Sequence, residues 1–178
     1  MRIFIGVSFD KDTTQYIEEV QNKISNFDFK AKLVEPENFH LCLSFIGNVD
    51  ESDVDNISEK LNKICKTHPG FKIDLTGVLI IPNESYIKVL AIGVSEKSGI
   101  LNDITKAILK EIGGNVKPPH ITLCRVKGVG DKKRLVRDIK NLNVNLKDVG
   151  IDSIKIVESV LSKSGPKYNI IKKIELSR

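Results

Sequence analysis

Hydrophobic and polar positions along the chain follow two periods. Arg2–Phe9 alternates and is rich in Ile, Phe and Val, which predicts a first strand. Asp10 then stands where a helix cap belongs. Tyr16, Ile17, Val20, Ile24 and Phe27 recur at three- and four-residue intervals, predicting a helix over 11–27. Ala31–Val34 reads as a short strand and Glu35-Pro36-Glu37-Asn38 as a turn. Phe39–Ile46 is a strand stopped by Gly47-Asn48. After Ser52, a second cap, Val54, Ile57, Leu61 and Ile64 form the apolar stripe of another helix. Phe71–Ile81 and Tyr86–Val94 are two strands turned by Pro82-Asn83.

The second half continues in the same way. Ile100, Leu101, Ile104, Ile108 and Ile112 predict a helix over Ser98–Ile112, ended by Gly113-Gly114. Pro118-Pro119 forces extended backbone into a strand, His120–Val126. Asp131–Ile139 reads as a short basic helix and Val144–Ser162 as one long or bent strand. Gly165-Pro166 turns the chain into a last strand, Tyr168–Leu176. Strands and helices in this mixed order, with short connections, predict an α+β protein of two similar halves with many antiparallel strand pairs.

Composition bounds the class. The 178 residues fit one domain or two closely packed halves, enough to bury roughly 70% of the unfolded surface. Hydrophobic residues make up 40% and charged residues 29%. No apolar run reaches the ~18 residues that cross a bilayer, so no membrane association is expected. The opening Met1–Gly6 reads as a strand, not a signal peptide. Three cysteines without a Cys-x-x-Cys spacing argue against a disulfide framework and for a reducing, cytoplasmic setting. A monomer is the default expectation.

Charge adds an asymmetry. Residues 1–89 hold 10 Lys/Arg and 14 Asp/Glu, a net of −4, whereas residues 90–178 hold 18 and 9, a net of +9. Lys127, Lys132, Lys133, Arg134 and Arg137 cluster in the basic half and suit an approach for nucleic-acid phosphates, or simply a solvated helix face.

The candidate chemistry rests on two of the three histidines. His40-Leu41-Cys42-Leu43 and His120-Ile121-Thr122-Leu123 lie on predicted strands 80 residues apart, each after a proline-containing turn. Residues i and i+2 of a strand share a face, so His40 lies beside Cys42, and His120 beside Thr122. If the two strands face one another, two imidazoles converge. One neutral imidazole takes a proton while the other, charged, donates one, and small donors bind the non-bridging oxygens of a phosphodiester. This scheme needs no cofactor or metal. The residues alone leave open which histidine gives and which takes. Arg125 could add charge, but on a regular strand it points away from His120, so a bulge or an end-of-strand turn is required. His68 reads as a surface residue without a role.

The paired motifs resemble the two His-x-Thr-x signatures of the 2H phosphoesterase superfamily. The flanks Glu37–Gly47, Pro119–Val126 and Leu161-Ser162-Lys163-Ser164-Gly165-Pro166-Lys167-Tyr168, with Met1–Gly6, are similar to its RNA 2′,3′-cyclic phosphodiesterase (2′-5′ RNA ligase) branch. The resemblance spans nearly the whole chain. It implies a single domain over 1–178 of two intertwined lobes, related by a pseudo-twofold, with two mostly antiparallel sheets lining a central cleft and helices outside. It implies metal-independent hydrolysis of RNA 2′,3′-cyclic phosphate ends (tRNA halves or small cyclic-phosphate nucleotides among them) to 2′-phosphates. Reversible 2′-5′ joining to a 5′-hydroxyl is implied too. It assigns His40 as general acid and His120 as general base, with Cys42, Thr122 and Arg125 on the phosphate. Phe45 and Tyr168 are candidates for base stacking. The branch usually has Thr or Ser where this chain has Cys42, and a thiol is the weaker donor.

Two competing readings remain at this level. His40, Cys42, His120 and Cys124 could form a His₂Cys₂ zinc site, although Cys124 reads better as a buried core thiol, as free cysteines commonly are. Alternatively, the fold could serve as a non-catalytic RNA- or nucleotide-binding module.

Overall fold

The computed structural model describes all 178 residues. The chain forms nine strands and four α-helices: β1 (Arg2–Val7), α1 (Lys11–Ser25), β2 (Phe29–Leu33), β3 (Leu41–Asn48), α2 (Val54–Lys66), β4 (Phe71–Asn83), β5 (Tyr86–Ser95), α3 (Ile100–Glu111), β6 (His120–Val129), α4 (Lys132–Lys140), β7 (Asn145–Ile151), β8 (Ser153–Ser162) and β9 (Gly165–Glu175). The expected α+β class holds. One sheet runs β3-β1-β8-β9 and the other β2-β6-β5-β4-β7, and every pair within them is antiparallel.

Apolar stripes make the helices, and side-chain caps open α1 and α4; α2 has none, its N-cap being Asp53 and not the expected Ser52, which lies in a short 3₁₀ turn. The Asp10 carboxylate accepts from the Thr13 amide at 2.8 Å and opens α1, whose Ile17, Val20 and Ile24 are buried. Glu96 orders the turn before α3, its carboxylate taking the amides of Ser98 and Gly99 at 2.8 and 2.9 Å and reaching the Leu101 amide at 3.3 Å. α1 and α4 contact β6 and β4, whereas α2 and α3 contact β8, β9 and β3, so each sheet has its own pair of helices. The core-facing residues of the strands, such as Ile3, Ile5, Ile73, Leu75, Leu90, Ile92 and Ile121, are fully buried and join the helix stripes in one cluster. The other face of each sheet carries the motif residues.

Two expectations change. Val144–Ser162 is not one strand. It breaks at Asp152 into β7, which pairs with β4, and β8, which pairs with β1, so this stretch passes from one sheet to the other. Its unbroken run of Ile and Val hides the break, because both pieces have the same alternation. The sheets also do not follow the halves of the sequence: β1 and β3 share a sheet with β8 and β9. The −4 and +9 halves of the sequence are therefore interleaved in the two sheets.

Candidate active site

The two motif strands are built alike. β3 is an edge strand of the four-stranded sheet and β6 is internal to the five-stranded one. Leu41, Leu43, Ile121 and Leu123 are buried to 1% exposure or less, while His40, Cys42, His120 and Thr122 are half-exposed on the opposite face. Alternation alone separates these two sets, as the sequence predicts.

Each strand then carries a bulge at the same place. On β6, Thr122 pairs with Ala91 but Cys124 pairs with Leu90, so Leu123 is an extra residue. On β3, Cys42 pairs with Gly6 but Ser44 pairs with Ile5, so Leu43 is extra. A bulge inverts the face of everything after it. Cys124 follows Leu90 into the core at 1% exposure, and Arg125 is paired with Val89 and exposed on the histidine face. This is the bulge that Arg125 requires. The charge of Arg125 also acts on the Tyr168 hydroxyl, opposing the rise that burial imposes on that phenol. On β3, Phe45 is turned by the same device to lie beside Phe4.

The bulge on β6 is held from α1. Gln21, 3% exposed, donates from Nε2 to the carbonyls of Leu123 and Val34, both at 2.8 Å, and the Val34 amide also reaches the Leu123 carbonyl at 2.9 Å. On β3, the Ser44 hydroxyl donates to the Gly113 carbonyl at 2.9 Å, and Phe45 and Asn115 exchange two backbone bonds of 2.9 Å. The segment after α3 thus lies along β3 before it enters β6. Gly114 makes this approach with φ at +100°, where an added Cβ would strike Ser44 and the Phe45 carbonyl.

Both histidines are oriented by the same contact. His40 Nδ1 lies 2.8 Å from the Asn38 carbonyl, and His120 Nδ1 lies 2.7 Å from the Pro118 carbonyl. A carbonyl only accepts, so each Nδ1 carries the proton and each Nε2 is left for chemistry. The grip on His40 is tighter. Its ring lies 4.6 Å from Phe4 and meets Tyr168 edge-on at 5.3 Å. The Asn38 side chain donates to the Pro166 carbonyl at 3.1 Å, which ties the turn before His40 to the β8–β9 hairpin. Burial, with a smaller contribution from the charge of His120, holds the His40 pKa below the ordinary imidazole value despite the Asn38 contact. The charge of His120 therefore reaches His40.

Cys42 remains a thiol. Burial pushes its pKa up to about 11, even with the Lys117 ammonium nearby. Cys42 and Lys117 share the lining of a cavity of about 410 Å³ with Pro118 and Pro119. Lys117, Phe4, Asn38 and Gln21 were not among the sequence candidates. Gln21 had a signal, a polar residue inside the stripe Ile17, Val20, Ile24, as did Asn38, two residues before a motif histidine. Lys117 sits in a loop and had none.

The zinc reading loses its fourth donor. Cys124 is in the core on the far side of its strand, and no group of three or more His, Cys, Asp or Glu side chains is placed to hold a metal. The helical part of the basic cluster is displaced as well, whereas Lys127 lies on β6 itself. Leu135 and Ile139 bury α4 against the core-facing side of the sheet, away from the histidines, and Lys132 and Lys140 are bound to Ser85 and Glu84. On the histidine face it is Lys32, cross-strand from Arg125, that adds charge. Phe45 has Arg2 over its ring at 4.9 Å, so one of its faces is already taken. His68 caps the end of α2, its Nδ1 2.8 Å from the Ile64 carbonyl.

A family model described as LigT like Phosphoesterase matches residues 7–91, a stretch that includes the His40 strand. An RNA 2′,3′-cyclic phosphodiesterase of Methanocaldococcus jannaschii is 33% identical over 180 residues, covering 97% of this chain and 99% of that protein. The chain belongs to the LigT-like phosphoesterase family. Another RNA 2′,3′-cyclic phosphodiesterase, from Thermotoga maritima, is 30% identical and covers 96% of this chain and 93% of that protein. The LigT-like fold extends over the whole chain. A crystal structure of a Thermus thermophilus protein superposes with a TM-score of 0.79 at 22% identity, covering 99% of this chain and 98% of that one. E. coli LigT complexed with phosphate gives 0.73 at 18% identity, with the same coverage. No helix is long and apolar enough to cross a membrane.

Proposed function

We propose that this LigT-like phosphoesterase hydrolyses RNA 2′,3′-cyclic phosphate ends to 2′-phosphate ends, using His40 and His120 as an acid–base pair and no metal. The observation that carries the reading is the matched anchoring of the two rings. Each imidazole presents Nε2 from a different sheet, beside a small donor, with its tautomer fixed by a carbonyl two residues upstream. The names of the relatives supply the substrate class.

In this mechanism His120 Nε2 takes a proton from water as the water oxygen attacks phosphorus. The bond from phosphorus to the 3′ oxygen breaks, and charged His40 gives that oxygen its Nε2 proton. A 3′-hydroxyl and a 2′-phosphate result, and proton exchange with solvent resets the pair. Which ring plays which part follows the family resemblance. The lowered pKa of His40 makes its charged form the stronger acid but the less populated one, so it does not by itself assign the roles. Thr122, Cys42 and Arg125 meet the non-bridging oxygens, where charge builds in the transition state. A 5′-hydroxyl in place of water would give a 2′–5′ linkage by the same proton transfers.

The test is turnover of a short RNA ending in a 2′,3′-cyclic phosphate in excess chelator. Undiminished formation of the 2′-phosphate is expected. Activity that disappears with chelator and returns with one added metal would overturn the metal-free mechanism.

A further inference from the structure

The two motif strands do not equip a phosphate equally. β6 brings the Thr122 hydroxyl and the positive charge of Arg125. β3 brings the Cys42 thiol, the weaker donor, and carries no charged side chain along its whole length. A cation nevertheless stands on the β3 side. After α3 the chain runs back along the open edge of β3, where Phe45 and Asn115 form an antiparallel bridge. Two residues further along that register, Lys117 comes opposite Leu43, next to Cys42. Lys117 and Cys42 line one cavity of about 410 Å³. Burial raises the Cys42 pKa, and the charge of Lys117 opposes that rise, so the ammonium acts directly on the motif thiol. Lys117 is exposed and takes part in none of the chain's ion pairs. The one carboxylate in the cavity lining, Glu96, is already taken by the amides of Ser98, Gly99 and Leu101.

We propose that Lys117 is a phosphate-binding residue, its ammonium meeting the non-bridging oxygen on the Cys42 side of the cyclic phosphate. The inference rests on the proposed function and deepens it. Charge builds on both non-bridging oxygens in the transition state, and a thiol alone would leave one of them with a weak neutral donor. An ammonium supplies a charge-assisted hydrogen bond there, and its flexible stem needs no fixed fork geometry to deliver it. The phosphate is then held between two cations, Arg125 from β6 and Lys117 from the loop along β3. The same loop orients His120 through the Pro118 carbonyl, so one short segment serves both the base and the oxygen opposite it.

The experiment titrates inorganic phosphate into the protein and follows the ring signals of His40 and His120 by proton NMR, so that only phosphate reaching the histidines is counted. Wild type, Lys117→Gln, Lys117→Arg and Lys133→Gln are compared. Lys117 is exposed, so its replacement leaves the core intact. Lys117→Gln is expected to weaken phosphate binding about tenfold, the lower end of what a hydrogen bond to a charged group contributes. Lys117→Arg keeps the charge and retains most of the affinity. Lys133→Gln removes an equal charge from α4 and leaves the affinity unchanged. In Lys117→Gln, kcat/KM for adenosine 2′,3′-cyclic phosphate falls by a similar factor. Equal phosphate affinity in wild type and Lys117→Gln, equal weakening in Lys133→Gln, or histidine signals that phosphate does not move would each overturn the assignment. A wild type that binds phosphate through Lys117 but turns over no cyclic phosphate supports the assignment, and only the proposed function then fails.

Discussion

His40 and His120 are each held by a carbonyl two residues upstream, at 2.8 and 2.7 Å, and the charge of one lowers the pKa of the other. By proton NMR, His40 is expected to titrate below the ordinary imidazole range. In His120→Ala the His40 titration should move upward, because an opposing charge has gone. An unmoved His40 would show that the rings do not share a site. The sign also fixes a stability effect. The contribution of neutral His40 is complete above the ordinary imidazole pKa, and is lost as pH falls through its lowered folded value.

Cys42 stands where the family usually has a hydroxyl. Its pKa of about 11 keeps it protonated at neutral pH, so it offers a weak S–H donor to a phosphate oxygen. Cys42→Thr is expected to raise kcat/KM for a cyclic-phosphate substrate by a few-fold, toward the roughly tenfold that a neutral hydrogen bond can contribute. Steady-state kinetics check this. A Thr variant no faster than the wild type would mean that the thiol is not a weakened phosphate contact.

Arg125 reaches the histidine face only because Leu123 is an extra residue in its strand. Replacing it by Gln should cut kcat/KM about 10- to 100-fold, the worth of a hydrogen bond to a charged group. Joint replacement of Lys132, Lys133 and Arg137 by Gln should leave turnover of a dinucleotide cyclic phosphate unchanged, since α4 packs on the opposite side of that sheet. The reverse pattern in the same assay would put the phosphate path on α4.

Gln21 holds that bulge through two bonds of 2.8 Å. Gln21→Leu removes both and leaves polar backbone underserved in a buried place. A loss of about 1–3 kcal/mol is expected in denaturant unfolding. Turnover measured well below the melting temperature should fall too, because Arg125 is positioned from the same turn. A variant that is destabilised yet fully active would make Gln21 purely structural.

Much of this was legible in the residues, and the losses have physical causes. The faces of His40, Cys42, His120 and Thr122 followed from two-residue alternation, which holds up to the bulges. The bulges themselves leave no mark, because Leu43 and Leu123 are ordinary core residues; alternation alone puts Cys124 on the histidine face, and only the general tendency of free cysteines to be buried points to the core, where it lies. The need for a bulge or a strand-end turn before Arg125 is readable; which of the two, and where, is not. The switch of sheets at Asp152 was hidden within continuous Ile/Val alternation. The side of the sheet on which α4 lies depends on which connections cross, and no local pattern records that. The α4 members of the basic cluster are therefore farther from the site than their place in the sequence suggests, while Lys127 stays on β6.

The central claim is that two imidazoles alone carry the proton transfers. The most direct measurement follows a short RNA with a 2′,3′-cyclic phosphate end, in chelator, with wild type, His40→Ala and His120→Ala, reading the position of the product phosphate. A 2′-phosphate is expected from the wild type. Each substitution should slow its formation by about 10² to 10⁴-fold, with RNA binding retained. Wild-type turnover to a 3′-phosphate, or a histidine variant that keeps its rate, would contradict the account.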